Sequence, residues 1–120
     1  MGKNIKLKIL DYTEYPEVRY IDQDEENSGE GYYYDFIKPN FDKALSIKVK
    51  LEVDLDDTAG YGYSFIDEAF GNLAYDFKYQ EIIDNLIIIS ELEPDWEEEI
   101  FENILPIWKK KREEGKPRKE

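Results

Sequence analysis

Strict alternation over residues 47–55 constrains the fold more than any other feature of the sequence. Every second residue of this stretch is apolar: Ile47, Val49, Leu51, Val53 and Leu55. Successive side chains of an extended strand point to opposite faces of a sheet, so the pattern predicts a strand with one apolar face. Such a face has to be covered by another layer, which the rest of the chain must supply.

The residues that follow predict a helix and another strand. A glycine-containing turn over 57–63 leads into a broad apolar stripe at helical spacing, which is typical of a helix packed on a sheet. The stripe consists of Phe65, Ile66, Ala69, Phe70, Leu73, Ala74 and Phe77. Leu86–Ile89 is continuously apolar, which favours a strand buried on both faces. This strand–helix–strand order predicts parallel strands joined by right-handed crossovers.

The amino-terminal part of the chain predicts two more strands. Lys3–Leu10 alternates apolar residues with lysines, a pattern typical of a half-buried strand. Residues 17–21 are predicted to form a short second strand that pairs antiparallel with the first. The acidic residues 22–26 are interpreted as a solvated loop.

Capping residues and prolines indicate two more helices. Ser28 is predicted to cap a helix that Pro39 bends or divides near Ile37, because proline disrupts a helix interior. Pro94 stands at the expected start of a last helix, and Pro106 is expected to kink it. The predicted fold class is α/β, with a single-layer mixed sheet of about four strands, helices packed on it, and the order β-β-α-β-α-β-α.

Length and charge divide the chain into one domain and a tail. Its 120 residues suit one hydrophobic core, which residues 1–113 are predicted to form, and residues 114–120 are predicted to be a disordered basic tail. Residues 109–120 hold seven basic and three acidic residues, so the net charge of −13 leaves −17 on the first 108. Such an acidic surface favours basic partners, and direct binding of nucleic acid is not expected.

The sequence contains neither histidine nor cysteine, which excludes several classes of site. Disulfides, thiolate zinc sites, cysteine nucleophiles and Ser-His-Asp arrangements are impossible without them. We therefore expect a protein that is not an enzyme and that needs no cofactor. No apolar run approaches the roughly 18 residues that a membrane span needs, so a soluble, cytoplasmic protein without membrane contact is expected.

Leu51–Leu73, with the sequence LEVDLDDTAGYGYSFIDEAFGNL, resembles the core of the bacterial STAS-like domains. Three upstream motifs stand in the order expected for that family: Arg19-Tyr20, Ser28-Gly29-Glu30 and Lys38-Pro39. The family is related in fold to the sulfate transporter and anti-sigma-factor antagonist domains. The resemblance implies a mixed sheet flanked by helices and a role as a switchable, regulatory protein-binding module.

The resemblance also implies where a partner acts. In antagonist STAS domains, an ATP-binding kinase phosphorylates a serine at the step from the central strand to a helix, and the resemblance places that residue at Ser64 or a neighbour within the turn. The residues alone also allow Ser64 to be a plain N-cap, with Asp67 in the position of a capping-box acid. The candidate residues for partner binding or phosphorylation are Ser64, Tyr61, Tyr63, Gly62, Asp57 and Asp67. The expected partner is a protein, for example an ATP-binding kinase-like protein.

Two other functions stay open on the sequence. The charge of −17 on the first 108 residues also suits an acidic inhibitor that mimics nucleic acid and blocks a basic nuclease or DNA-binding protein. Five carboxylates near the strand end could hold Mg²⁺ in a carboxylate enzyme: Asp54, Asp56, Asp57, Asp67 and Glu68. Their spacing matches no diagnostic ligand pattern, so no metal site is predicted. The sequence does not distinguish a monomer from a dimer.

Overall fold

The computed structural model describes residues 2–119 and contains a parallel sheet with helices packed against it. The strands are β1 (Ile5–Lys8), β2 (Leu51–Asp54) and β3 (Leu86–Ile89). Their order in the sheet is β1-β2-β3, and both pairs are parallel. Ile5 is level with Leu51, which is level with Leu86, so alternate residues of the three strands share a face.

Helical segments fill most of the chain between and after the strands. In chain order they are a 3-10 turn (Ile9–Asp11), α1 (Gly29–Tyr32), a π-helical turn (Tyr33–Ile37), α2 (Lys38–Ile47), α3 (Tyr63–Gly71), α4 (Leu73–Asp76), α5 (Tyr79–Asn85), α6 (Asp95–Glu99), a second π-helical turn (Ile100–Ile104) and α7 (Leu105–Glu113). In the part of the chain that the structure describes, no helix is both long enough and apolar enough to cross a membrane.

The sheet buries one face more completely than the other. Residues of the inner face are buried in the core: Leu51, Val53, Leu86 and Ile88. On the outer face, Lys6 and Lys8 are exposed, and Ile87 and Ile89 are half-buried. The prediction that the β3 run is buried on both faces is therefore wrong, because β3 lies at an edge of the sheet and one of its faces is only partly covered.

The predicted antiparallel strand at residues 17–21 is absent from the described residues. Backbone groups of this segment serve helix starts instead: Gly29 donates to the Val18 carbonyl at 3.0 Å, and Glu30 donates to the Arg19 carbonyl at 2.9 Å. Those amides have no acceptor within their own helix. The segment thus caps α1, and the mixed four-stranded sheet of the prediction is a parallel sheet of three strands in residues 2–119.

The predicted strand over residues 47–55 is shorter in the structure because α2 reaches into it. Ile47 is the last residue of α2, and Lys48 ends the helix in the left-handed conformation with φ of 60°. The Val49 amide still donates to the Ala44 carbonyl at 3.0 Å. Only the second half of the alternating stretch is therefore free to join the sheet.

Helix α5 lies between two predicted elements and has no counterpart in the prediction. Its start carries one local signal, since the Lys78 amide donates to the Glu81 carboxylate three residues on, at 3.2 Å. An acceptor at that spacing is typical of a helix start. The segment is seven residues long, too short for an apolar stripe to stand out.

Both predicted irregularities at prolines are found, each as a π-helical turn before the proline. Tyr33–Ile37 precedes Pro39, and Ile100–Ile104 precedes Pro106. The residue after each turn donates to the carbonyl five positions earlier instead of four. A proline has no amide hydrogen, and its ring collides with the carbonyl four positions back in a regular α-helix. The wider turn displaces that carbonyl and lets the helix continue.

Two glycines allow helices to approach more closely than a side chain would permit. A Cβ added to Gly29 would collide with the backbone carbonyl of Phe65, and one added to Gly71 would collide with the Trp108 ring. Gly29 opens α1, whereas Phe65 lies in α3. The contact between α1 and α3 therefore depends on the missing side chain at Gly29.

After α7 the chain turns at Gly115, where φ is 73°, and Arg118 returns to the body of the protein to pair with Asp76 at 2.7 Å. The predicted disorder of residues 114–120 stays a prediction. Glu120 of that tail, and Met1 of the predicted domain 1–113, lie outside the described residues.

We expect Gly29→Ala to lower the free energy of unfolding by about 2 kcal/mol, because the added methyl group forces α1 and α3 apart. In a helix, exchanging glycine for alanine usually raises the free energy of unfolding by about 1 kcal/mol. The sign of the measured change therefore distinguishes a collision from the usual effect. Urea unfolding followed by circular dichroism measures the change. Gly2→Ala is the matched control, since its Cβ would lie 3.6 Å from Val49, an ordinary contact. A Gly29→Ala protein as stable as the wild type would contradict the close approach.

Candidate functional site

The predicted helix start after β2 lies two residues earlier than expected. Gly62 is the N-cap of α3, and its extended backbone has φ of −77°. Ser64 is therefore the second helical residue, and the prediction that Ser64 caps the helix is wrong. The helix begins at Gly62 because the chain there lies against residues 16 and 17. A Cβ on Gly62 would lie 2.7 Å from the Glu17 carbonyl oxygen, and the Gly62 amide donates to the Pro16 carbonyl at 2.9 Å.

The turn before α3 has two residues in the left-handed region, Gly60 with φ of 126° and Asp57 with φ of 73°. Asp57 is exposed, and its carboxylate lies 3.9 Å from the Lys8 ammonium group. Asp57 thus shapes the turn that leads to the candidate surface.

Arg19 joins the amino-terminal segment to α3 through two adjacent carboxylates. Its guanidinium group lies 2.7 Å from the Asp67 carboxylate and 3.2 Å from that of Glu68. The Trp108 indole donates to the other Asp67 oxygen at 2.9 Å. Asp67 therefore binds a cation and an indole, and it has no role in a capping box.

Glu68 is a buried carboxylate with fixed partners. Only 2% of the residue is exposed. The Asn72 side chain, which is fully buried, donates to Glu68 at 2.8 Å. Burial raises the pKa of Glu68 and outweighs the hydrogen bonds from Asn72 and Arg19, which lower it. The charged form of Glu68 is stabilised in the folded protein by these partners. Removing one of them should therefore lower the free energy of unfolding.

The same row of polar side chains continues to Asp76 at the end of α4. Asp76 accepts a hydrogen bond from the Tyr33 hydroxyl at 2.5 Å and pairs with Arg118 at 2.7 Å. Although burial favours the neutral acid, the hydrogen bonds from Arg118 and Tyr33 lower the pKa of Asp76 below its ordinary value of 3.8. Asp76 is thus an ionised anchor in the folded protein.

An exposed group of apolar side chains lies beside the start of α3. It consists of Tyr63, Leu92 and Trp96, and we call it the aromatic patch. Tyr63 is 47% exposed and Leu92 is 69% exposed, whereas Trp96 is half-buried and lies 6.4 Å from Tyr63 between ring centroids. The patch lines a shallow depression of about 540 Å³ together with three carboxylates, Glu93, Asp95 and Glu99, which we call the acidic rim.

Tyr61 lies between the aromatic patch and the core. Its hydroxyl donates to the Leu55 carbonyl at 2.5 Å, and its ring lies 6.2 Å from Phe65 and 5.9 Å from Trp96. Burial is the main cause of its raised pKa. Tyr61 is half-buried and positions Trp96, while Tyr63 offers the larger exposed surface.

Ser64 faces a different side of the helix start. It borders a recess of about 300 Å³ that residues 17–20 and Gln23 complete. Among the described residues, none forms a hydrogen bond with the Ser64 hydroxyl. Ser64 is half-buried, so its hydroxyl sits at the edge of this recess, next to the segment that carries Arg19.

The carboxylates near the end of β2 have separate structural roles. Asp54 accepts from the Asp56 amide at 2.8 Å, and Asp56 accepts from the amides of Glu91 and Leu92 at 3.1 and 3.0 Å. Asp67 and Glu68 are engaged by Arg19. In residues 2–119, no group of three or more metal-binding side chains is arranged to hold an ion.

Sequence reasoning missed the half of the site that follows β3. It proposed Tyr61 and Tyr63 but neither Leu92 nor Trp96, since Trp96 shares a helical face with core residues and Leu92 stands alone in a loop. It also left Arg19 without a partner. The available signal was the parallel pairing of β2 and β3, which brings the loops after both strands to one edge of the sheet.

Comparison with known protein families gives one match. A family model described as STAS-like domain of unknown function (DUF4325) matches residues 34–96. This range contains all six predicted partner-binding residues and the aromatic patch, but it contains neither Arg19 nor α1. No curated protein and no solved structure matches the chain.

We expect Arg19→Met to lower the free energy of unfolding by about 3 kcal/mol, because it leaves Glu68 buried without its cation. Thermal and urea unfolding measure the loss. The matched control is Lys109→Met, which removes an exposed ion pair with Glu113 and should cost at most about 0.5 kcal/mol.

A second variant separates lost charge from lost packing at Arg19. Adding Glu68→Leu to Arg19→Met removes the unpaired carboxylate and should restore part of the stability. An Arg19→Met protein that unfolds like the control would show that the pair does not hold the segment in place.

Proposed function

This chain belongs to the STAS-like domains of unknown function, and from that premise we propose that it is a non-enzymatic, regulatory protein-binding module whose partner docks on the aromatic patch. The resemblance seen in Leu51–Leu73 is confirmed by the family match. Membership in the family does not specify a partner, so the proposal is argued from the surface itself.

The exposure of the aromatic patch is the observation that carries the proposal. Tyr63 and Leu92 keep 47% and 69% of their surface in contact with solvent, although the core is near enough to bury Phe65 and Ile100 completely. Tyrosine and tryptophan surrounded by polar groups are the residue types that carry most binding energy in protein interfaces. The patch therefore suits a partner that covers it with apolar side chains.

The acidic rim indicates the chemistry of that partner. Glu93, Asp95 and Glu99 border the patch, and α6 continues the row of carboxylates. The pKa of Glu98 is raised because Glu102 lies beside it, which shows that like charges are crowded on this exposed face. A partner with an apolar anchor flanked by lysine or arginine would relieve this repulsion and gain complementarity.

Ser64 is the proposed position of control. A kinase partner would transfer the γ-phosphoryl group of ATP to the Ser64 oxygen, with loss of the hydroxyl proton and release of ADP. The first turn of a helix offers free amides and the positive end of its dipole to a phosphate, and Arg19 lines the same recess. The added charge of about −2 would lie one residue from Tyr63, on the side of the helix start that faces the segment with Arg19.

We expect the exchanges Tyr63→Ala and Leu92→Ala each to weaken partner binding about tenfold, because both remove exposed anchors of the patch. Tagged protein is used to recover partners from the native host, and binding is then measured with the purified partner. Neither variant should unfold the domain, since both side chains project into solvent. Ile47→Ala is the matched control, because Ile47 is 50% exposed but lies at the end of α2. Equal binding by all three variants would refute the assignment of this surface.

Mass spectrometry of the protein purified from its native host tests whether Ser64 is phosphorylated. A phosphate on Ser64 is the expected result, and Ser64→Asp should strengthen binding of a basic partner about fivefold compared with Ser64→Ala, since one charge near an interface contributes about 1 kcal/mol. Unmodified Ser64, together with equal binding by the two variants, would eliminate phosphorylation while leaving the patch intact.

One observation favours a second candidate function, an acidic mimic of nucleic acid. Helix α6 and the turn after it present a run of carboxylates on the surface: Asp95, Glu97, Glu98, Glu99 and Glu102. A basic nuclease or DNA-binding protein held by these charges would be released by salt, because exposed charges are screened. Binding through the aromatic patch would persist at high salt and would depend on Tyr63 and Leu92.

A further inference from the structure

Arg118 occupies a well-defined site formed by α4, by Asn72 directly before it and by the π-helical turn Tyr33–Ile37. Its guanidinium group binds both oxygens of Asp76, at 2.7 and 3.1 Å, and donates to the Tyr34 hydroxyl at 3.1 Å and the Asn72 side-chain oxygen at 3.3 Å. Its central carbon lies 4.9 Å from the centroid of the Tyr75 ring. We call the four residues Tyr34, Asn72, Tyr75 and Asp76 the arginine socket.

The geometry of the arginine socket suits a guanidinium group in particular. A carboxylate bound through both oxygens needs two parallel N–H donors on one planar group, which arginine has and lysine lacks. The ring of Tyr75 adds a surface for a flat cation. The oxygens of Tyr34 and Asn72 lie around the same guanidinium nitrogen, Nη1, that contacts one Asp76 oxygen.

The socket is held in shape by residues other than the tail. The Tyr33 hydroxyl donates to Asp76 at 2.5 Å, and the Asn72 side-chain nitrogen donates to the carboxylate and the carbonyl of Glu68 at 2.8 Å. These bonds orient Asp76 and Asn72 from the core side. The site is therefore preorganised whether or not Arg118 is in it.

Asn72 makes an empty socket unfavourable. The residue has no exposed surface, and its nitrogen is committed to Glu68, so Arg118 supplies the donor for its oxygen. A buried acceptor without a donor costs about 1–3 kcal/mol. The site consequently favours any arginine that can replace Arg118.

The segment that delivers Arg118 is held loosely by comparison. Gly115, Lys116 and Pro117 are exposed. Its side chains and carbonyls make contacts at the surface: the Tyr75 hydroxyl donates to the Lys116 carbonyl at 2.7 Å, Lys111 donates to the Arg118 carbonyl at 3.0 Å, and Lys119 lies 3.5 Å from Glu30 and 4.3 Å from the centroid of the Tyr20 ring. The amides of Gly115 and Lys116 donate to the last carbonyls of α7 at 3.0 and 3.1 Å. Surface contacts of this kind contribute little, so residues 115–119 can leave while the socket stays formed.

From these contacts we propose that the arginine socket is a binding site for an arginine in a basic segment of a protein partner, and that Arg118 is an internal ligand that occupies the site in the free protein. The charge of −17 on the first 108 residues favours the approach of such a segment. The socket is distinct from the aromatic patch, so this proposal goes beyond the proposed function. A partner has to displace residues 115–119 before its own arginine can bind.

The proposal is tested with a labelled peptide of residues 114–119, acetyl-Glu-Gly-Lys-Pro-Arg-Lys-amide, and the full-length protein. Binding is followed by NMR at the Asn72 side-chain amide. Arg118→Ala empties the socket, so this variant should bind the peptide at least about tenfold more tightly than the wild type, in which the internal ligand competes at a high effective concentration. Lys116→Ala removes one positive charge from the same segment and should bind as weakly as the wild type.

Two further comparisons, both on Arg118→Ala, identify the site. A peptide with lysine in place of arginine should bind about tenfold more weakly. Adding Asp76→Asn should abolish binding, and adding Tyr34→Phe, which changes only an exposed hydroxyl, should weaken it about threefold. The proposal would be overturned if Arg118→Ala bound the peptide no more tightly than the wild type. It would also be overturned if Asp76→Asn and Tyr34→Phe left peptide binding unchanged in folded protein.

Discussion

The ion pair of Arg19 with Asp67 and Glu68 is the interaction on which the arrangement of the site depends. It ties an extended segment without regular structure to α3. That segment donates no strand to the sheet, yet its carbonyls accept from the first amides of α1 and from Gly62. The segment therefore contacts both helix starts through its backbone and α3 through the Arg19 side chain, and these contacts together position the turn that presents Tyr63.

The polar side chains that run from Arg19 to Arg118 also explain how α3 and α4 together carry two separate surfaces, the aromatic patch and the arginine socket. Glu68 and Asn72 bind each other inside the protein, and Asn72 and Asp76 then meet Arg118 at the far end of α4. Since buried polar groups must be paired, the core side of α3 and α4 is fixed by these contacts. The start of α3, at the other end of this pair of helices, exposes Tyr63 to solvent.

The sequence allowed the fold class to be predicted, but not the number of strands. Alternation identified β2 correctly, although the alternating stretch over residues 47–55 begins with the last residue of α2, because an apolar residue such as Ile47 fits a helix as well as a strand. Residues 17–21 have the composition of a strand, but the carbonyls of Val18 and Arg19 accept from the first amides of α1 instead of from a neighbouring strand. The prolines were more informative, since proline restricts the backbone locally whatever packs against it.

The candidate site could be placed from the sequence but not completed. Tyr63 and Ser64 were found because they follow a recognisable strand, whereas Leu92 and Trp96 come from the loop after β3. Parallel pairing brings the carboxyl ends of β2 and β3 to one edge of the sheet, and the Asp56 carboxylate joins the two loops by accepting from the amides of Glu91 and Leu92. A surface assembled from two loops in this way depends on strand order, which local sequence patterns do not encode. The predicted parallel pair held the information that places the second half of the site next to the first.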